Sequence, residues 1–405
     1  MRRSPRTGLV LSGGGARGAY EAGVIAGIVE ILGVGESDPP PFTIFAGTSV
    51  GAINAAFLAA NGDRGDLGCQ RLIEIWQGLS LQEHLRFRPA GFLWRKARGC
   101  AYGPQLFDVK PFERLVSRQI DWNHLHYCIA EGKIDALVVA ALDILDNRTT
   151  MFAELAPQVS FHPSRDPRRR GMLVRIGPDH VLASSAIPLF FPARRVGSRY
   201  YVDGGVRFNT PLAPAIRIGA ERLVVISLRS RQTSLGGEGG EGELPDPSLP
   251  FLLGKLFNAL LLDPIIYDLQ ILERFNRLLR VLDEVLTPEE RRRLDQVFRE
   301  TRGVPYRPLD TLVFEPSLDI GRLAGEFLRR GKGPGRLTRR ILSWLAPHQE
   351  RGEADWASFI LFDAPFVREL ITLGHRDALA QSEKIRAFFD RETLLRSERD
   401  TSSGM

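Results

Sequence analysis

Cysteine is scarce, with only Cys69, Cys100 and Cys128 in 405 residues. They are odd in number, far apart and in no CxxC or Cys/His ligand spacing. This argues for a reducing compartment and against a disulfide framework or structural zinc. Lysine is scarce as well: of 54 basic residues, 6 are Lys and 48 are Arg. Against 48 acidic residues the net charge is +6. The arginine pairs and triplets, at 168–170, 194–195, 291–293, 329–330 and 339–340, are separated by acidic residues. Such scatter reads as solvated faces, with a minority suited to anionic headgroups, and it calls for no nucleic acid.

Long hydrophobic runs are missing too. In MRRSPRTGLVLSGGGARG only four apolar residues separate the basic start from the glycines, too few for a signal peptide. The most apolar stretch elsewhere, FLLGKLFNALLL at 251–262, is interrupted by Lys255 and Asn258 and falls short of the ~20 residues a membrane span needs. The expectation is a cytoplasmic protein whose contact with membranes is at most peripheral. Gly and Pro number 40 and 26, below the level of low-complexity chains, and 43% of residues are hydrophobic. The length allows one large α/β domain with insertions, or two to three domains.

Residues 7–60 alternate short apolar runs with amphipathic ones: GLVLS, then ARGAYEAGVIAGIVEIL, then FTIFA, then GAINAAFLAA. Strand, helix, strand, helix implies parallel strands joined by crossovers and covered on both faces. ALVVAAL at 136–142, RYYVD at 199–203, RLVVISL at 222–228 and TLVFEP at 311–316 extend the sheet. GGEGGEGELPDP at 236–247 interrupts it as a linker or surface loop. Two helices follow. One spans 265–286, with Leu269, Leu272, Phe275, Leu279, Leu282 and Leu286 at helical spacing; the other spans 288–300, opened by a capping box of Thr287, Pro288 and Glu290. Because a strand-like run returns at 311, residues 245–305 read as a helical insertion. The main domain is then 1–244 and 306–380, with a C-terminal helix and frayed tail at 381–405. The apolar segment 249–266 suits an interfacial lid or an ordinary core or dimer helix.

Three motifs carry chemistry. GGGARG at 13–18 follows a strand and opens a helix, and Gly13, Gly15 and Gly18 satisfy GxGxxG. A dinucleotide site wants an acidic residue closing the next strand, whereas Glu36 and Asp38 sit in the loop before it. Glycines at a helix start also expose unpaired N–H groups suited to any anion, including the oxyanion of acyl transfer, or simply allow a tight turn. GTSVG at 47–51 fits GxSxG between a strand and an Ala-rich helix, where Gly47 and Gly51 permit a sharp elbow with Ser49 at its tip. In RYYVDGGVRFNTPL, Asp203 closes a strand before Gly204 and Gly205, as a turn-former or as an approachable carboxylate. None of the seven histidines (His84, His124, His126, His162, His180, His348, His375) lies in a glycine-flanked or strand-end context, so a Ser/His/Asp triad has no support.

GGGARG, then GTSVG, then SSAIPLFFP at 184–192 and DGGVRFNTPL at 203–212 together resemble the patatin-like phospholipases, over residues 7 to about 230. A weaker likeness continues in LVFEPSLDIGRLAGEF at 312–327 and ILFDAPFVRELITLGHRDA at 360–378, similar to the closing part of bacterial members. The resemblance implies a three-layer α/β fold with a mainly parallel sheet, and hydrolysis of lipid acyl esters, above all of phospholipids, without metal or organic cofactor. It further implies Ser49 as nucleophile, Asp203 as its base, and Gly13, Gly14, Gly15, Arg17 and Gly18 as the oxyanion loop. Arg17 would either meet a substrate phosphate or brace that loop. A free Asp, with a pKa of ~3.9, is a weak base for a serine hydroxyl. Desolvation, the helix dipole and backbone donors must make up the difference. The rivals are an α/β-hydrolase with a true triad, a dinucleotide-binding protein using residues 13–18, and a catalytically silent lipid-binding scaffold. A homodimer is compatible with the sequence.

Overall fold

In the computed structural model the apolar pentapeptide TGLVL is a strand, β1 (Thr7–Leu11), buried along every residue. The structure describes residues 5–84, 86–87, 107–162, 164–188, 190–230, 252, 259, 264–302, 305–330 and 353–390. A single 3-10 turn at Gly15–Arg17 leads into α1 (Gly18–Leu32), which ends at Gly33 in the left-handed conformation. Next come β2 (Ile44–Thr48), α2 (Val50–Ala60), α3 (Gly65–Gly78) and α4 (Leu81–His84). A short ribbon of β3 (Arg86–Phe87) and β4 (Phe107–Asp108) precedes α5 (Lys110–Gln119) and α6 (Trp122–Ala130).

The middle of the chain supplies β5 (Ala136–Asp143), β6 (Arg148–Leu155), β7 (Arg169–Leu173), α7 (Pro178–Ser184), β8 (Arg194–Val196) and β9 (Arg199–Asp203). Then follow α8 (Leu212–Ile218), β10 (Arg222–Ile226), α9 (Pro264–Val285), α10 (Pro288–Arg302) and β11 (Asp310–Phe314). The chain closes with α11 (Ile320–Arg329), α12 (Glu353–Ile360), α13 (Ala364–Leu379) and a helical stretch at 382–390, whose Ile385 and Phe388 are buried.

The sheet runs β11-β10-β1-β2-β5-β6-β7, with β9 on β5 and β8 on β9. The first five strands are parallel, as the alternation of short strands and helices requires. Residues of β1, β2 and β5 are buried throughout, so helices cover both faces and the fold has three layers. The expected strands at 136–142, 199–203, 222–228 and 311–316 are all present, the second with the expected bounds and the others with ends moved by one or two residues. Beside the small β3–β4 ribbon, three strands of this sheet have no counterpart in the sequence expectations. β6 returns antiparallel to β5 through a tight turn in which Asn147 adopts φ 50°. β7 is an arginine-rich edge strand parallel to β6, and β8 forms a hairpin with β9.

The helices expected at 265–286 and 288–300 are α9 and α10. Thr287 N–H donates to Glu290 Oε2 at 2.9 Å and the Thr287 hydroxyl accepts from Glu290 N–H at 3.4 Å, the reciprocal bonds of a capping box. The Gly-rich segment 236–247, most of 249–266 and the tail from 391 lie outside the described residues.

Register brings the site together. Thr48 of β2 pairs with Ala140 of β5, and Asp203 of β9 pairs with the adjacent Ala141. The glycine loop leaves the carboxyl end of β1, directly beside the carboxyl end of β2. Open α/β sheets place ligands at these strand ends.

Candidate active site

The nucleophile elbow begins with steric closeness. A Cβ on Gly47 would overlap the Gly51 carbonyl, so only glycine lets α2 start directly over the end of β2. Ser49 at the tip adopts φ 56°, ψ −127°, a conformation that costs a side-chain-bearing residue about 1–3 kcal/mol. Its surroundings hold it there. Ser49 N–H donates to Ser184 Oγ at 2.9 Å, and Ser184 Oγ donates in turn to the Ala140 carbonyl at 2.6 Å. The Ser49 carbonyl accepts from Ser185 Oγ at 3.1 Å and from Ala52 N–H.

Ser49 Oγ lies 2.5 Å from Asp203 Oδ2, to which it donates, and both residues are buried. Gly205 N–H donates to Asp203 Oδ1 at 2.7 Å, so the Gly204–Gly205 turn after β9 orients the carboxylate from the other side. Burial pushes the Asp203 carboxyl up to about 7, against the opposing pull of the hydrogen bonds from Ser49 and Gly205. That pKa suits proton exchange with a hydroxyl near neutrality far better than a free aspartate would.

The glycine loop lies beside the pair. Asn209, six residues after Asp203, grips Gly13 at both ends: Gly13 N–H donates to Asn209 Oδ1 at 2.9 Å and Asn209 Nδ2 donates to the Gly13 carbonyl at 3.2 Å. The Gly13 amide is thereby spent inside the fold. The amides of Gly14 and Gly15 have no acceptor among the described residues, and Gly15 lines the cavity beside Ser49. Gly15 has φ 58°, and a Cβ there would run into the Phe359 carbonyl. Gly18 opens α1 against Val50. Arg17 is buried; its Nε donates to Ser358 Oγ at 2.7 Å and its guanidinium lies 4.1 Å from the centre of the Phe359 ring. These contacts brace the loop against α12.

Ser49 opens into a cavity walled by Ile53, Phe57, Leu72, Trp76, Phe112 and Phe190, among other apolar side chains. Two amides line it, Asn54 and Gln119. Asn54 is fully occupied: Asn54 Oδ1 accepts from Trp76 Nε1 at 3.0 Å, and Asn54 Nδ2 donates to Glu21 Oε2 at 2.8 Å and to the Gly18 carbonyl at 3.1 Å. Burial pushes the Glu21 carboxyl well above the usual carboxylate range, against the opposing pull of the hydrogen bonds from Asn54 and the Ser12 backbone. Apart from Ser49, Ser185, the two amides and the Trp76 indole N–H, the side chains of the cavity wall are hydrocarbon.

Ser184, Ser185 and Asn209 were not singled out in the sequence, although they stand inside SSAIPLFFP and DGGVRFNTPL. Their signal was proximity to the motif residues, which is invisible until the strands pair. Among the described residues no histidine bonds to Ser49 or Asp203: His84, His124, His126, His180 and His375 are engaged with Ser80, Asp63, Glu154, Gly177 and Glu30. His348 lies outside those residues. One trio of metal-ligand types does converge, with the donor atoms of Asp63, His124 and Cys128 within 4.8 Å of one another. Lys133 already sits on Asp63 at 2.7 Å. Burial would raise that carboxyl, but hydrogen bonds from Lys133 and His124 outweigh it and hold the group down at about 2. None of the three lines the cavity at Ser49.

Among the comparisons with known proteins, the family model agrees with the motifs. Residues 9–216 match the family model described as patatin-like phospholipase, more than half of the chain. No curated protein matches the chain in sequence. Solved structures resemble it distantly, two among them as follows. VipD from Legionella pneumophila is 13% identical with a TM-score of 0.37, the match covering 91% of this chain and 67% of that one. Human GIVD cytosolic phospholipase A2, solved in complex with methyl gamma-linolenyl fluorophosphonate, is 11% identical with a TM-score of 0.41, the match covering 96% and 60%. With the family model spanning more than half of its length, the chain belongs to the patatin-like phospholipases and is a lipid acyl hydrolase.

Proposed function

We propose that the protein hydrolyses the acyl esters of phospholipids through a Ser49/Asp203 dyad, without histidine, metal or organic cofactor. The observation that carries this reading is the buried 2.5 Å contact between Ser49 Oγ and Asp203 Oδ2 at the mouth of an apolar cavity. The ester's acyl chain enters the cavity and its carbonyl carbon meets Ser49 Oγ. As the C–O bond forms, the hydroxyl proton passes to Asp203, and the carbonyl oxygen takes up the negative charge. The amides of Gly14 and Gly15 face that charge; donors of this kind are worth roughly 2.7–4 kcal/mol each in comparable sites. Collapse expels the lyso-lipid alkoxide, which recovers the proton from Asp203. Water then attacks the acyl-enzyme, Asp203 takes its proton, and the fatty acid leaves as Ser49 is restored.

Gly47, Gly51, Gly204 and Gly205 shape the two turns that hold nucleophile and base, while Gly13, Arg17 and Gly18 position the donor loop. The substrate class is tested by incubating the protein and its Ser49→Ala form with mixed lipids and identifying the products by mass spectrometry. Free fatty acid and lysophospholipid from the wild type, and neither from the variant, are expected. Release of fatty acid from neutral glycerides alone would overturn the phospholipid assignment, and equal release by both proteins would overturn the dyad.

A further inference from the structure

Helix α9 has two apolar faces. One turns inward: Leu279 is buried, Leu269 and Leu272 lie against the core, and Asn276 is clamped to the segment before β11, donating to the Leu309 carbonyl at 2.8 Å and accepting from Leu309 N–H at 2.9 Å. That clamp fixes the helix rotation. The opposite side then carries Tyr267, Ile271, Arg274, Leu278, Val281 and Val285, at successive spacings of 4, 3, 4, 3 and 4 residues. This is the seam of a heptad, about 27 Å long at 1.5 Å per residue. Tyr267 is 66% exposed, Leu278 53%, Val281 49% and Val285 73%. Four large apolar side chains in one exposed row are more than scattered surface residues account for.

Charge decides what covers the row. Arg274, Arg277 and Arg280 are balanced within the same helix by Asp268, Glu273 and Glu284, while Asp283 is taken up by Arg291 of α10 at 3.0 Å, so the stripe offers an anionic bilayer no net attraction. The two signs are instead segregated along the flank, with Arg277 one heptad before Glu284. If two such helices lie antiparallel with Leu278 of each against Val281 of the other, Arg277 of each comes beside Glu284 of the other. The pairing is reciprocal, as two-fold symmetry demands. Arg274 falls opposite Val285 of the second copy, where its long stem covers the methyl groups and its head reaches Glu284.

We propose that the outer face of α9 is a self-complementary interface through which two copies of this chain pair antiparallel. The interface is independent of the Ser49/Asp203 chemistry. Sedimentation of the full-length protein tests it: the wild type sediments at twice its 45.2 kDa chain mass. Val281→Glu sediments as a monomer and keeps the wild-type circular dichroism and hydrolysis of a soluble ester. Arg277→Glu weakens association at least tenfold, and Arg277→Glu combined with Glu284→Arg restores it, because the swapped charges again face each other. A monomeric wild type would overturn the proposal. So would a dimer indifferent to Val281→Glu, a double swap that fails to recover, or a monomer whose vesicle binding is lost in Val281→Glu, which would assign the row to lipid.

Discussion

The surroundings of Ser49 and the outer face of α9 are organised in opposite ways. Around Ser49 polar groups are buried and individually held: the nucleophile by Ser184 and Ser185, the base by Gly205, the glycine loop by Asn209 and Arg17. On α9 it is apolar groups that stand in solvent, while a single buried amide anchors the helix from behind. A strained residue persists only where its environment over-determines it, and that is the condition of Ser49. An exposed apolar row needs no such support. Substitutions in the first region should therefore act on chemistry, and those in the second on association with little effect on the chemical step.

The sharpest breaks in that contrast come at the dyad. Ser49→Ala should lower kcat for ester hydrolysis by about 10⁴–10⁶-fold, and Asp203→Asn by about 10⁴-fold, with the fold intact by circular dichroism. Both are measured by steady-state kinetics on a soluble ester. The pH profile comes next. Asp203 must be unprotonated to act as base, so kcat/KM should fall tenfold per pH unit below about 7 and level off above it. A profile still flat at pH 5 would show that this carboxyl is not the base.

Positioning effects should be smaller. Asn209→Ala frees the glycine loop from the turn that carries Asp203, and a displacement of about 1 Å costs on the order of 10²-fold in kcat with KM nearly unchanged. Ser184→Ala unties the Ser49 amide from β5 and should act in the same direction to a lesser degree, with Ser184→Thr recovering part of the loss. A rise in KM alone in either variant would place these residues in substrate binding instead. The smallest change is expected at His375→Ala, where the ring faces Glu30 on the surface: activity unchanged and stability within about 0.5 kcal/mol by denaturant titration.

Much of this site is legible in the chain because its motifs are local. GTSVG marks a turn that only glycine neighbours allow, and DGG marks a strand end. Their encounter is a matter of sheet register, through Thr48 opposite Ala140 and Ala141 opposite Asp203. No periodicity reports that register. β6 and β7 escaped notice for a related reason: their stability comes from pairing, and the arginines of β7 read as a solvated run. Helix α9 shows the converse limit. Its leucines signal a single core face, yet the outward row of Tyr267, Leu278, Val281 and Val285 becomes distinct only when Asn276 fixes which side is inside.

The central claim is that one hydroxyl is activated by one carboxylate with no imidazole involved. Intact-protein mass spectrometry after exposure to a fluorophosphonate tests it most directly. The account predicts a single adduct mapping to Ser49, absent in Ser49→Ala, strongly slowed in Asp203→Asn, and formed at the wild-type rate when His180 or His375 is replaced by Ala. Labelling that survives Ser49→Ala, or that is abolished by either histidine change, would contradict it.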